Sequence, residues 1–176
     1  METKLERISQ LSKENPNMVF TSIGHLINKE MLKSCHEEMD EDKAVGIDGI
    51  TKEEYSRNLD QNLESLVERI KKKSYKPKPA RLVEIPKDNG KIRPLSIYSY
   101  EDKLVQEALR RLLEAVFEPC FYDEMMGFRP NRSCHKAIQK LNTMIQSKPV
   151  SYVLDADIKG FFAHMDHEWI IRFIEL

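Results

Sequence analysis

The chain has 176 residues, 40% hydrophobic and 32% charged, with a net charge of -1. That balance suits one folded domain with a real core and excludes a disordered tail. No apolar run reaches the ~20 residues of a membrane span, and the opening Met1-Glu2-Thr3-Lys4 lacks the character of a signal peptide, so no membrane partner is expected. Cys35, Cys120 and Cys134 are odd in number and far apart, which predicts reduced thiols and a cytoplasmic protein.

In chain order, Leu5, Ile8 and Leu11 share one face of a short opening helix, and Pro16 follows its end. Leu32, Cys35 and Met39 predict a second helix, closed by the acidic, glycine-containing stretch 40–49. Thr51 with Glu54 three residues on forms a capping box. Behind it Tyr55, Leu59, Leu63, Leu66 and Ile70 keep helical spacing, which predicts one continuous helix. Residues 74–79 must be extended, because Pro77 and Pro79 disfavour helix at themselves and just before.

A hairpin comes next. Leu82-Val83-Glu84-Ile85 and Lys91-Ile92-Arg93 flank Asp88-Asn89-Gly90, and Asn-Gly supplies the positive backbone angles of a tight turn. Pro94 limits the second strand to an edge or a bend. Leu104, Val105, Ala108, Leu109, Leu112, Leu113 and Val116 then give the clearest amphipathic helix, stopped near Pro119. Ala137, Ile138, Leu141 and Ile145 mark another before Pro149. Tyr152-Val153-Leu154 predicts a short strand delivering Asp155-Ala156-Asp157, and Trp169, Ile170, Phe173 and Ile174 open a last helix.

Beneath the near-neutral total lies a reversal of sign. Residues 37–68 are dominated by acids, whereas residues 69–93 carry Lys71, Lys72, Lys73, Lys76, Lys78, Arg81, Lys87 and Lys91 against only Glu84 and Asp88. Phosphate binding follows local charge, so a polyanionic partner is compatible with this chain. Charge alone fits a solvated lysine-rich helix end equally well.

Chemistry concentrates in Val153-Leu154-Asp155-Ala156-Asp157-Ile158-Lys159-Gly160-Phe161-Phe162. A carboxylate at a strand end, then glycine and two aromatics, suits a divalent ion held beside a flat base or sugar, since magnesium takes hard oxygen ligands and shares them with phosphates. By itself a strand-end aspartate more often caps a turn. Asp157-Ile158-Lys159-Gly160-Phe161-Phe162 with Met165-Asp166-His167 resembles the first catalytic palm motif of group II intron reverse transcriptases. Gly127-Phe128-Arg129-Pro130-Asn131-Arg132-Ser133-Cys134-His135-Lys136-Ala137-Ile138 resembles the preceding block, Gly90-Lys91-Ile92-Arg93-Pro94-Leu95-Ser96-Ile97 the fingers motif, and Ala44-Val45-Gly46-Ile47-Asp48-Gly49-Ile50-Thr51 the amino-terminal extension. Retron, diversity-generating and CRISPR-associated reverse transcriptases share the catalytic grammar; the extension and the 127–138 block favour the intron branch.

The resemblance implies an α+β right-hand fold: a helical extension over 1–40, fingers over 41–150 and the start of the palm over 151–176. It implies RNA-templated DNA synthesis with magnesium, manganese being an alternative ion, from deoxynucleoside triphosphates, an RNA template and a DNA primer, together with binding and splicing of group II intron RNA. Homodimerisation is left open. Asp157 matches the first catalytic, metal-binding aspartate, with the Ile158 carbonyl beside it. Phe161 matches the aromatic gate against the sugar 2′-hydroxyl, with Phe162 its rival. Lys87, Lys91 and Arg93 match the fingers hairpin that clamps the triphosphate, although a hairpin tip is ordinarily basic and solvated. Lys71, Lys72, Lys73, Lys76, Lys78, Arg81, Arg129 and Arg132 are the candidate RNA contacts; for the last two, pairing with helix-end carboxylates is the plain alternative. Asp155 either supports Asp157 or faces solvent.

Two positions depart from the family's usual residues, Ala163 for Asp or Asn and Asn131 for Gly; asparagine still reaches the left-handed region. His164 and His167 have a zinc-like spacing but no third ligand, and Phe117, Phe121, Tyr122 and Phe128 serve base stacking or helix-end packing. The family's tyrosine-x-aspartate-aspartate pair is absent from the 176 residues, which predicts a polymerase-inactive polypeptide, either a piece of a longer enzyme or a truncated copy. An RNA-binding module without catalysis is the rival from another class, and a purely structural or oligomerisation fragment the third.

Overall fold

A computed structural model describes residues 2–86, 90 and 92–175. The elements in order are α1 (Glu2–Glu14), α2 (Lys29–Glu38), α3 (Lys52–Ser56), α4 (Leu59–Lys71), β1 (Arg81–Pro86), β2 (Ile92–Ile97), α5 (Tyr100–Phe117), α6 (Cys134–Ser147) and α7 (His167–Glu175), with short 3-10 turns at Gly24–Leu26, Glu118–Cys120 and Phe161–His164. Mixed helices with a small antiparallel sheet agree with the expected α+β class. None of the described helices is long and apolar enough to cross a membrane. Two compact units divide the chain, Met1–Cys120 and Phe121–Leu176.

In the first unit helices wrap around α5. Tyr100, Leu104, Ala108, Leu112 and Ala115 recur at three- and four-residue steps and are buried, so one stripe of α5 faces inward. Its core cluster also takes in Ile8 of α1, Met31, Leu32 and Cys35 of α2, and Leu63, Leu66 and Val67 of α4, with α1 and α2 packed on α5 and α4 on α2. Each fully buried Leu side chain contributes roughly 1.5–3 kcal/mol over exposure. Leu109, expected on this stripe, is 44% exposed, because it sits beside the 104–108–112 line. Residues 1–40 share this one core with α3, α4 and α5.

The expected helix over 55–70 is two helices. Asn62 Nδ2 donates to the Tyr55 carbonyl at 2.9 Å, which satisfies the chain end of α3 and lets α4 restart after Asn58. The capping box at Thr51 and Glu54 is present. Buried His36 lies between Tyr100, whose hydroxyl meets Nδ1 at 2.8 Å, and Ser56, whose Oγ meets Nε2 at 3.1 Å. Ser56 gives its own proton to the Lys52 carbonyl at 2.7 Å. His36 Nε2 must therefore donate to Ser56 and Nδ1 accept from Tyr100, which keeps the ring neutral, in line with a pKa lowered chiefly by burial.

The hairpin forms as expected: β1 and β2 pair antiparallel from Arg81↔Ile97 to Pro86↔Ile92. Gly90 has φ +73°, a left-handed conformation that glycine adopts without steric cost. Asp88, Asn89, Lys87 and Lys91 lie outside the described residues. Pro94 is tolerated opposite Glu84 because a two-stranded sheet consists only of edge strands.

In the second unit α6 starts at the Ser133 cap, whose side chain accepts from the Lys136 amide. Asn131 takes φ +58°, the left-handed conformation expected where the family has glycine. The strand expected at 152–154 is not formed; residues 151–158 carry no regular structure. Strands exist only by hydrogen bonding to neighbours, and the described sheet, β1 with β2, does not include this segment.

Candidate nucleotide and metal site

The hairpin presents Arg93 opposite Ile85. Arg93 is exposed and makes no ion pair among the described residues, so its guanidinium fork is available to an anion. What fixes the hairpin is its root. The strap between α4 and β1 is tied to α5 by Asp102, a carboxylate only 2% exposed. Asp102 Oδ2 accepts from the Lys78 backbone amide at 3.0 Å and from Ser99 Oγ at 2.6 Å. Asp102 Oδ1 accepts from the Tyr75 hydroxyl. Burial, and then this carboxylate, push the Tyr75 pKa well above the ordinary phenol value, so the proton stays on the phenol. A buried carboxylate is tolerable only when it is hydrogen-bonded in this way.

Loop 44–48 encloses the same root. Arg81 donates to the Val45 carbonyl through Nε at 3.1 Å and Nη2 at 2.8 Å. Lys103 Nζ reaches the Ala44 carbonyl at 2.5 Å, and Lys78 Nζ meets Asp48 at 3.0 Å. Gly46 lies against the backbone of Tyr98 and Ser99, where an added Cβ would stand 2.5 Å from Ser99 Cα. Burial, with Lys43 and Arg81 adding to it, lowers the Lys103 pKa.

The basic segment is thereby divided. Lys78 and Arg81 hold loop 44–48, and Lys72 pairs with Glu68 at 2.6 Å. Lys71, Lys73 and Lys76 are exposed and form no ion pair among the described residues. Ser99-x-x-Asp102 ahead of an apolar run is a helix-start pattern that the sequence reading passed over. Nothing in the sequence marked Tyr75 as its partner.

Within the second unit, Asp157 and Asp155 are exposed and unpaired among the described residues. Gly160, at φ +64°, turns the chain into the 3-10 segment bearing Phe161 and Phe162. Their rings meet edge to face at 5.3 Å, with Phe161 48% and Phe162 82% exposed. His164 Nδ1 donates to the Gly160 carbonyl at 2.8 Å, which closes the turn. The side chain of Ala163 lies outside the described residues. Among the described residues no three His, Cys, Asp or Glu side chains gather as a metal cluster. Asp157 and the Ile158 carbonyl have the hard-oxygen chemistry that suits magnesium, as two ligands of a larger set.

Arg129 and Arg132 are drawn into their own loop. Arg129 Nη1 donates to the Tyr122 and Met125 carbonyls at 2.6 and 2.8 Å, and its guanidinium lies 5.3 Å over the Phe121 ring. Arg132 pairs with Asp123 at 2.7 Å, which pulls the Asp123 carboxyl below its ordinary range. Phe128 is fully exposed at φ +54°, so helix-end packing does not account for it.

Residues 85–175 match the family model described as reverse transcriptase (RNA-dependent DNA polymerase). Over 174 residues, 98% of this chain, the sequence is 34% identical to the group II intron-encoded protein LtrA of Lactococcus lactis subsp. cremoris, covering 29% of that protein. It is 31% identical over 174 residues, 97% of the chain, to an uncharacterized 91 kDa protein in the cob intron of Schizosaccharomyces pombe, covering 21% of it. Protein YkfC of Escherichia coli K12 is 33% identical over 130 residues, 72% of the chain, with 34% of YkfC covered. The chain thus spans about a third or less of the length of these relatives.

Proposed function

The chain belongs to the reverse transcriptase (RNA-dependent DNA polymerase) family, and from that premise we propose that it supplies the fingers and the first catalytic segment of the palm to a polymerase of group II intron type. Its substrates are deoxynucleoside triphosphates, an RNA template and a DNA primer, and it binds its intron RNA. Residues 1–40, 41–150 and 151–176 are the extension, the fingers and the start of the palm in this reading. The observation that carries it is the pairing of motif with availability. Arg93 on the hairpin and Asp157 ahead of the Phe161–Phe162 turn match the family's motifs, and neither side chain is neutralised by an ion pair among the described residues. Arg93, with Lys87 and Lys91, holds the triphosphate; Asp157 and the Ile158 carbonyl hold magnesium, and Phe161 faces the sugar. Magnesium, when bound, supplies the positive charge that stabilises the attacking and leaving oxygens in phosphoryl transfer.

In the complete polymerase, Arg93→Ala is expected to raise the KM for deoxynucleotides. A hydrogen bond to a charged group is worth ~1.5–3 kcal/mol, so the rise is about ten-fold or more. An unchanged KM in steady-state primer extension takes Arg93 out of the site. Phe161→Ala is expected to admit ribonucleotides more readily, read as the ratio of ribonucleotide to deoxynucleotide incorporation. If only Phe162→Ala relaxes that ratio, the gate is Phe162.

An RNA-binding role without catalysis is the second reading, and Lys71, Lys73 and Lys76, exposed and without ion pairs among the described residues, favour it. The same exposed cations serve both readings, so primer extension and RNA binding must be measured on one sample.

A further inference from the structure

We propose that Asp102 is the positioning residue of the hairpin, a single buried carboxylate that fixes both ends of the β1–β2 unit and so sets where Arg93 stands. The proposal rests on the triphosphate-clamp reading of the hairpin and adds the group that aims it. Lys78, held by its backbone amide, lies three residues before β1; Ser99, held by its hydroxyl, lies two residues after β2. Both donate to the same oxygen, Oδ2, so the entry and exit of the hairpin are bound to one atom. Tyr75 on the other oxygen stops the carboxylate from rotating. Asp102 itself cannot drift, because it occupies the first turn of α5 and its amide donates to Ser99 Oγ at 3.2 Å. Arg93 stands at the end of the two-stranded sheet away from this root, and most residues of both strands are exposed. A two-stranded ribbon has little stiffness of its own, so an angular error at the root is magnified at Arg93, and small misplacements at a reacting site are costly.

Asparagine can keep the arrangement. Its carbonyl oxygen accepts from Lys78 and Ser99 while its amide donates to the Tyr75 oxygen. Alanine leaves three donors without an acceptor. In the complete polymerase, Asp102→Ala is expected to raise the deoxynucleotide KM about ten-fold with kcat changed less than about two-fold, and Asp102→Asn to stay within about two-fold of the parent in both. Tyr75→Phe, a milder lesion for the case in which Asp102→Ala does not fold, is expected to raise KM about three-fold. Hydrogen exchange on the 176-residue Asp102→Ala chain should quicken at the amides of β1 and β2 and stay unchanged in α4 and beyond the first turn of α5. Equal quickening in the hairpin and in α4 and α5 would show that Asp102 merely stabilises the fold, and would overturn the proposal. So would a level KM in Asp102→Ala and Tyr75→Phe while Arg93→Ala raises it; the hairpin reading then stands and the aiming role falls. If Arg93→Ala also leaves KM level, the clamp reading itself has failed and takes the proposal with it.

Discussion

Gly46→Ala is expected to cost the chain about 3 kcal/mol of stability, toward the upper end of the ~1–3 kcal/mol typical of overpacking. The reason is the identity of the atoms in the way. An added Cβ would lie 2.5 Å from Ser99 Cα, 2.6 Å from Ser99 N and 2.6 Å from the Tyr98 carbonyl oxygen, all backbone. A crowded side chain can change rotamer, but here the junction of β2 and α5 would have to move. That junction is held by fully buried Ser99, whose side chain caps α5 and bonds Asp102. Arg81 and Lys103 hold the other side of the contact through the Val45 and Ala44 carbonyls, so loop 44–48 cannot retreat freely either. A loss of that size lowers the melting temperature of a chain of this length by about 10 °C. Gly24→Ala is the control: nothing lies within 4 Å of its added Cβ, and such open substitutions usually stay within about 0.5 kcal/mol. A Gly46→Ala melting temperature within one or two degrees of the parent would refute the close approach.

The same root shows which parts of the molecule could be read from residues alone. Helices α2, α5 and α6 were legible because an amphipathic stripe carries its own period, and the capping box at Thr51 because both partners lie within four residues. The hairpin was legible through Asn89-Gly90 and its apolar flanks. What escaped was whatever depends on a distant partner. The break between α3 and α4 needs Asn62 to meet the Tyr55 carbonyl, and a strand at 152–154 needs a neighbouring strand that apolar residues cannot announce. Charge behaved the same way. The basic run over 69–93 was plain, but that Lys78 neutralises Asp48 and that Arg81 grips Val45 follow only from folding. The block at 44–51 was recognised by its resemblance, and its physical work, bracing the hairpin root, became visible only when Gly46 was found against Ser99. Asp102 sat in view as an acid three residues after Ser99, and its two long-range donors gave it meaning.

The 176-residue chain is expected to bind RNA in a salt-sensitive manner and to extend no primer. In the proposed site Asp157 and the Ile158 carbonyl would offer one carboxylate and one carbonyl, whereas holding magnesium in near-octahedral geometry against a triphosphate takes further carboxylates. The 176 residues contain no tyrosine-x-aspartate-aspartate to provide them. Correct placement of the triphosphate by Arg93 would not repair this, because the primer hydroxyl would still lack activation. RNA affinity draws on other residues. Lys72, Lys78 and Arg81 are committed within the fold, and Arg129 and Arg132 to their own loop. That leaves Lys71, Lys73, Lys76 and Arg93 as exposed cations without ion pairs among the described residues. Each phosphate neutralised contributes roughly -0.7 to -0.9 to the slope of log affinity against log salt, so four contacts predict a slope of about -3. Filter binding to intron RNA across a salt series measures that slope, and primer extension with magnesium and deoxynucleotides on the same folded sample measures catalysis. A slope shallower than about -1 removes the lysine segment from the RNA interface. Template-directed extension by the 176 residues overturns the argument that Asp157 needs partners from a second carboxylate motif.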